Sequence, residues 1–215
     1  MTSIWRVIGL FALVTLVVNL AWRYASRRRS LPCPSCFAWS LESRLVDKLI
    51  GTSTTLARIG LKPSQRVLEI GPGPGRLLIP AAHRVLPDGK VVGMDIQHGM
   101  IKRLKARAAR TGVSNLVAIV GDAAEVDFAQ AYFDVVYLCT TLGEIPDRAA
   151  VLAQCHTALK ADGVLSITEI FPDPHFQSRS SVIRLAEETG FTLKNMAGQW
   201  YFFTANFVKK KSRLE

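Results

Sequence analysis

The sequence is short of the signatures that fix a protein's chemistry at sight. Among its four cysteines, Cys33-Pro-Ser-Cys36 has the spacing of a redox or metal pair, but no second CxxC and no histidine pair accompanies it. Neither a zinc site nor a disulfide scaffold is expected, and no metal ligands are assigned. No Gly-Lys-Ser/Thr follows a glycine turn, which excludes a P-loop, and the GxGxxG spacing of a pyrophosphate fingerprint is missing. No internal repeat is visible. Acid is scarce as well: 17 Asp and Glu stand against 27 Lys and Arg, a net charge of +10. The excess is not spread evenly. Residues 1–30 contribute +5 through Arg6, Arg23, Arg27, Arg28 and Arg29, and the tail Lys209, Lys210, Lys211 and Arg213 against Glu215 adds +3, which leaves +2 for residues 31–208. Charge gathered at the ends suits a membrane surface better than a groove for DNA or RNA, so no nucleic-acid partner is expected.

Apolar residues are plentiful, at 49% with a mean hydropathy of +0.20, and the excess sits at the N-terminus. Val7 to Trp22 runs without a charge. With Ile4 and Trp5 it approaches the roughly 20 residues that span a bilayer. Trp5, Trp22 and Tyr24 flank it as interfacial aromatics, and the arginines that follow place its C-terminal side in the cytoplasm. A basic flank is wrong for a cleaved signal peptide. Residues 1–30 therefore read as a transmembrane or interfacial anchor, with the lipid bilayer as a partner. Residues 31–59 read as an amphipathic linker. Leu41, Leu45 and Leu49 repeat on one side and Glu42, Arg44, Asp47 and Lys48 mark the other, as expected of a helix that packs on the body or lies at the bilayer surface as a lid.

Residues 60–208 alternate β-rich runs with helical patterns, the mark of an α/β fold with a parallel sheet, and residues 209–215 form the basic tail. Strands are predicted at Arg66–Ile70, Lys90–Asp95, Leu116–Val120, Phe133–Cys139 and Val164–Ile170. Helices are predicted over 75–86, 99–111 and 180–189, and after the cap Asp147 with Val151, Cys155 and Leu159 buried. Ala161-Asp162-Gly163 reads as a turn. Phe191–Met196 and Trp200–Val208 are joined by Ala197-Gly198-Gln199, too short for a parallel crossover, so the last pair must be antiparallel.

The first strand ends in Glu69-Ile70-Gly71-Pro72-Gly73-Pro74-Gly75, where glycines let a ligand approach the backbone and a following helix offers free N–H groups. Glu69 would repel a pyrophosphate and suit a cationic ligand. Asp95, at the end of strand two, can accept hydrogen bonds from both hydroxyls of a ribose. Glycine turn, Asp95, Asp122 and Thr140 all fall at the carboxyl ends of strands, where ligands of open α/β sheets bind.

Val67-Leu68-Glu69-Ile70-Gly71-Pro72-Gly73-Pro74-Gly75, Gly93-Met94-Asp95, Gly121-Asp122-Ala123 and Phe133-Asp134-Val135-Val136 together resemble the class I S-adenosylmethionine-dependent methyltransferases, over about residues 60–208. The resemblance implies a Rossmann-like, doubly wound seven-stranded sheet in the order 3-2-1-4-5-7-6 with strand 7 antiparallel. It implies S-adenosylmethionine as cofactor, bound by Glu69, Gly71, Gly73, Gly75, Asp95, Ile96, Met100, Asp122, Ala123 and Thr140. Methyl transfer is a displacement that asks the protein for alignment, and for a base only when the nucleophile arrives protonated. Glu144 and His175, in the loops after strands four and five, are the candidate catalytic groups, with plain structural roles as the alternative. The anchor points to a lipid, a quinone-type precursor or another hydrophobic or amphiphilic small-molecule substrate. A small thiol or metalloid acceptor, or a non-catalytic module that binds the cofactor at the membrane, stands as the alternative. No oligomeric state follows from these residues.

Overall fold

In a computed structural model the described residues are 2–29, 51–171 and 173–211. The CxxC pair, the amphipathic repeat over Leu41–Leu49 and the end of the tail lie outside them. Helix α1 covers Thr2–Arg29. Its described apolar side chains stand open to solvent, Trp5 at 70% and Phe11 at 75%. Among the described residues no helix is long and apolar enough to cross a membrane, so the spanning form of the anchor is not shown.

The body begins with α2 (Thr52–Ile59) and continues β1 (Arg66–Ile70), α3 (Leu78–Arg84), β2 (Lys90–Asp95), α4 (His98–Arg110), β3 (Leu116–Val120), β4 (Phe133–Cys139), a 3₁₀ turn (Leu142–Glu144), α5 (Arg148–Ala158), β5 (Leu159–Ile170), α6 (Arg179–Glu188), β6 (Phe191–Gln199) and β7 (Phe202–Lys209). The strands form one sheet in the order β3-β2-β1-β4-β5-β7-β6, with β7 antiparallel to both neighbours. Order and direction agree with the sequence reading.

Alternate strand residues feed two cores. Leu68, Ile70, Val136 and Leu138 meet α5 and α6 on one face, and Val67, Val135 and Tyr137 meet α2, α3 and α4 on the other. Polar caps work where the sequence carries them: the Asp147 carboxylate accepts from the Ala150 N–H at 2.9 Å and opens α5. The largest fully buried side chains include Tyr137, Phe191, Phe203 and Phe207.

Three boundaries depart from expectation. The helix after the glycine turn starts only at Leu78, because residues 72–77 form tight turns, in which Gly75 N–H bonds the Pro72 carbonyl at 2.9 Å. Strand β5 begins at Leu159, and Ala161-Asp162-Gly163 is absorbed as an irregularity in its pairing with β4. The last hairpin turns at Trp200-Tyr201, because β6 pairs as far as Gln199 with Phe202.

Candidate active site

The parallel strands deliver their carboxyl ends to one edge, and a cavity of about 220 Å³ opens there. Gly71, Gly73, Asp95, Ile96, Met100, Asp122, Ala123, Thr140 and Glu144 line it, together with Ile70, Met94, Gln97, Cys139, Thr141, Ile145, Pro146 and Val151. Nine of the sequence-selected residues thus converge on one space, while Glu69, Gly75 and His175 are not part of its wall.

The glycine turn shows why. Gly73 has φ +53° and nothing within 4 Å of where its Cβ would stand, so its missing side chain leaves room at the cavity. Gly75, φ +83°, is closed in: a Cβ there would overlap Leu104 of α4. One glycine leaves open space at the cavity and the other serves the packing of helix on turn.

Asp95 is 8% exposed and ties the second strand to the turn. Its Oδ2 accepts from the Gly73 N–H at 3.1 Å and its Oδ1 from the Gln97 N–H at 2.8 Å. Each oxygen keeps a lone pair, so the carboxylate can still receive hydroxyl protons from a sugar diol. Burial raises its pKa, and the two N–H donors oppose that. Asp122 Oδ1 accepts from the Ala124 N–H at 2.9 Å, which fixes the loop after β3.

Glu69 behaves differently from the sequence reading. It pairs with Tyr137 across β1 and β4, shares that residue's face, and is 2% exposed. The Tyr137 hydroxyl donates to its Oε2 at 2.7 Å. Burial lifts the Glu69 carboxyl to about 8. Largely protonated at neutral pH and turned under the helices, it exerts little of the repulsion expected of it.

On the other wall, β4 leaves the sheet through Thr140, held at φ +54° with its N–H bonded to the Thr168 carbonyl at 2.9 Å. A non-glycine residue in that region stores strain. The 3₁₀ turn that carries Glu144 is pinned by Arg148, whose Nε and a terminal nitrogen donate to the Leu142 and Gly143 carbonyls at 3.0 Å each. Behind it lies His175, 4% exposed, with Nδ1 3.7 Å from Glu144 Oε1 and 3.6 Å from Asp173 Oδ1. His175 therefore meets the cavity only through Glu144. Glu169 at the end of β5, 1% exposed, accepts from the Gln177 N–H at 3.1 Å, and burial pushes its carboxyl well above the usual range.

Sequence reasoning did not select Gln97, Thr141, Ile145, Pro146 or Val151. Ile145-Pro146 directly after Glu144 was the available signal for an apolar wall. Among the described residues no three His, Cys, Asp or Glu side chains are placed so that they could hold a metal ion. The features present fit an adenosyl cofactor: a carboxylate beside a glycine with open space, and apolar lining from Met94, Ile96 and Met100.

A methyltransferase domain profile matches residues 61–202. The chain is 37% identical over 113 residues to nocamycin O-methyltransferase of Saccharothrix syringae, covering 53% of this chain and 40% of that protein. It is 30% identical over 115 residues to the ubiquinone/menaquinone biosynthesis C-methyltransferase UbiE of Cupriavidus taiwanensis, covering 54% and 47%. The chain spans about half the length of the curated relatives it matches. A crystal structure of a SAM-dependent methyltransferase from Aquifex aeolicus superposes with a TM-score of 0.77 at 19% identity, over 83% of this chain and 100% of that one, which shows a shared fold. With that profile laid over the sheet, the glycine turn and the strand-end carboxylates, the chain belongs to the methyltransferase domain family, and its domain is that of an S-adenosylmethionine-dependent methyltransferase.

Proposed function

We propose that the protein is a membrane-associated enzyme that moves a methyl group from S-adenosylmethionine to a lipid, a quinone-type compound or another hydrophobic small molecule. The observation that carries this reading is a cavity with polar anchors at one end, Gly73 and Asp95, and an apolar wall of Ile145, Pro146 and Val151 at the other. The solvent-facing apolar side chains of α1 and the arginines at its C-terminal end support a bilayer contact, with the body on the cytoplasmic side. Relatives named as a ubiquinone/menaquinone biosynthesis C-methyltransferase and a nocamycin O-methyltransferase are consistent with an apolar acceptor.

The cofactor supplies a methyl carbon on a sulfonium, with a neutral thioether as leaving group. The chain's residues align and shield. In this reading Asp95 receives the ribose hydroxyls, and Asp122, Ala123, Ile96 and Met100 enclose the adenine. The backbone at Gly71 and Gly73 lies along the methionine part. Glu144 faces the acceptor and takes its proton as the new bond forms, with His175 Nδ1 standing 3.7 Å behind its Oε1. Apolar walls exclude water from the transfer.

Calorimetry with S-adenosylmethionine, followed by methyl release into a membrane extract, tests the reading. Saturable binding is expected, and Asp95→Ala should weaken it by about 100-fold, on the order of 3 kcal/mol for a bidentate charged contact. Absence of binding would overturn the enzyme reading, and unchanged affinity in Asp95→Ala would overturn the ribose assignment. A screen over lipid, quinol and thiol acceptors then identifies the substrate class; turnover of thiols alone would refute the apolar acceptor.

A further inference from the structure

The β6–β7 turn belongs neither to the cavity nor to the core. Trp200 and Tyr201 are 60% and 48% exposed, and Phe171 beside them is 45% exposed. The three rings form one contiguous patch: Phe171 and Trp200 stand edge to face at 5.3 Å between centroids, Trp200 and Tyr201 at 5.5 Å. The patch is held in place. Phe171 N–H donates to the Tyr201 carbonyl at 2.7 Å, and Ile170 pairs with Phe202 across β5 and β7.

Direction matters more than composition. Strand β5 runs parallel to β4 and β1, and β7 runs against it, so the end of β5 and the turn before β7 stand at the sheet edge that carries the cavity. Charge follows the same side. The Arg58 guanidinium lies 4.5 Å over the Phe202 ring, and Arg179 stacks 5.6 Å over Phe203 while donating to the Gly198 carbonyl at 2.7 Å. Residues 189–211 contain no acid. The acids nearest Phe171 turn inward, Glu169 to Gln177 and Asp173 to His175. Gly51, where the body takes up the chain coming from α1, lies against the Phe202 ring.

We propose that Trp200, Tyr201 and Phe171, framed by Arg58 and Arg179, dock on the headgroup layer of an anionic phospholipid bilayer and turn the mouth of the cavity toward it. Indole and phenol rings prefer that layer because it wets one end and buries the other, and guanidinium groups at its level meet lipid phosphates. The inference rests on the membrane reading above and adds which surface of the body faces the lipid.

The test uses the full chain with Trp5, Trp22 and Trp39 replaced by Phe, so that Trp200 alone reports. It is mixed with phosphatidylcholine vesicles with and without phosphatidylglycerol, some carrying bromine near the headgroup. Flotation of the unsubstituted chain with the vesicles checks the membrane reading by itself; if that chain does not float, both are overturned. For a chain that floats, the expected result is a blue-shifted Trp200 emission quenched by the bromolipid, more strongly with phosphatidylglycerol present. Flotation without bromolipid quenching overturns the docking surface and leaves the membrane reading standing. Aqueous iodide then tells how it failed: quenching means that the turn faces water, and protection means that another part of the chain or a second copy covers it. Unchanged binding of S-adenosylmethionine confirms that the substituted chain is folded.

Discussion

Glu69→Gln should make the protein less sensitive to alkali. The side chain is a carboxyl whose pKa rises from 4.5 to about 8 through burial, with the Tyr137 hydroxyl donating to Oε2. In the unfolded chain it loses its proton near pH 4.5, and in the folded chain near 8. The folded state therefore holds a proton that the unfolded state has released. The stability tied to that proton is present below pH 4.5 and lost as the pH rises toward 8. At 1.36 kcal/mol per unit, the loss reaches about 3 kcal/mol at pH 7 and levels off at about 4 to 5 kcal/mol above pH 8. An amide of the same shape accepts the Tyr137 hydrogen bond and carries no such penalty. Urea unfolding of the two proteins from pH 5 to 9 should give curves that diverge by about 3 to 4 kcal/mol over that range, with the Gln form the flatter. Parallel curves would mean that Glu69 is ionised in the fold and that its burial has been misjudged.

Gly73→Ala and Gly75→Ala should separate binding from folding. Both pay roughly 1 to 2 kcal/mol for a left-handed alanine, but only Gly75→Ala also collides with Leu104, so its melting temperature should fall further while Gly73→Ala loses cofactor affinity. Thermal melts and calorimetry on the pair decide it; equal losses of both properties would refute the division of labour. Glu144→Gln should lower kcat by about 100-fold with cofactor affinity unchanged, and flatten the acidic limb of the pH profile. A variant that lost cofactor affinity instead would make Glu144 part of the binding wall. His175→Asn should lower kcat less and shift that limb, and an unshifted limb would leave His175 a packing residue.

Strand positions were legible because apolar runs, glycine turns and strand-end acids recur along the chain, and the antiparallel last pair because three residues allow only a hairpin; the strand order came only with the family resemblance. The same rule of alternation holds the information that the reading of Glu69 passed over. Glu69 shares its parity with Val67, so it points to the face filled by α2, α3 and α4 and not over the sheet edge. Asp95 is the last residue of its strand and is free of that constraint. The length of β5 was hidden because Asp162-Gly163 has turn chemistry and pairing overrode it. His175 fell on the right side of the sheet by topology, but nothing local in Pro174-His175-Phe176 signals that its ring is buried against two carboxylates from different loops.

Helix α2 precedes every strand in the chain and yet packs on the last one, where Asn206 Nδ2 donates to the Arg58 carbonyl at 2.9 Å across 148 residues. A ribosome adding about 5 to 20 residues per second takes roughly 7 to 30 seconds to cover that distance. Through that interval α2 can already rest on Val67, Val135 and Tyr137 of the earlier strands, but the Arg58 carbonyl still lacks its donor. The body closes last, from its final strand back to its first helix, so a truncation before β7 leaves the Arg58 end of α2 without the partner that ties it to the far side of the sheet.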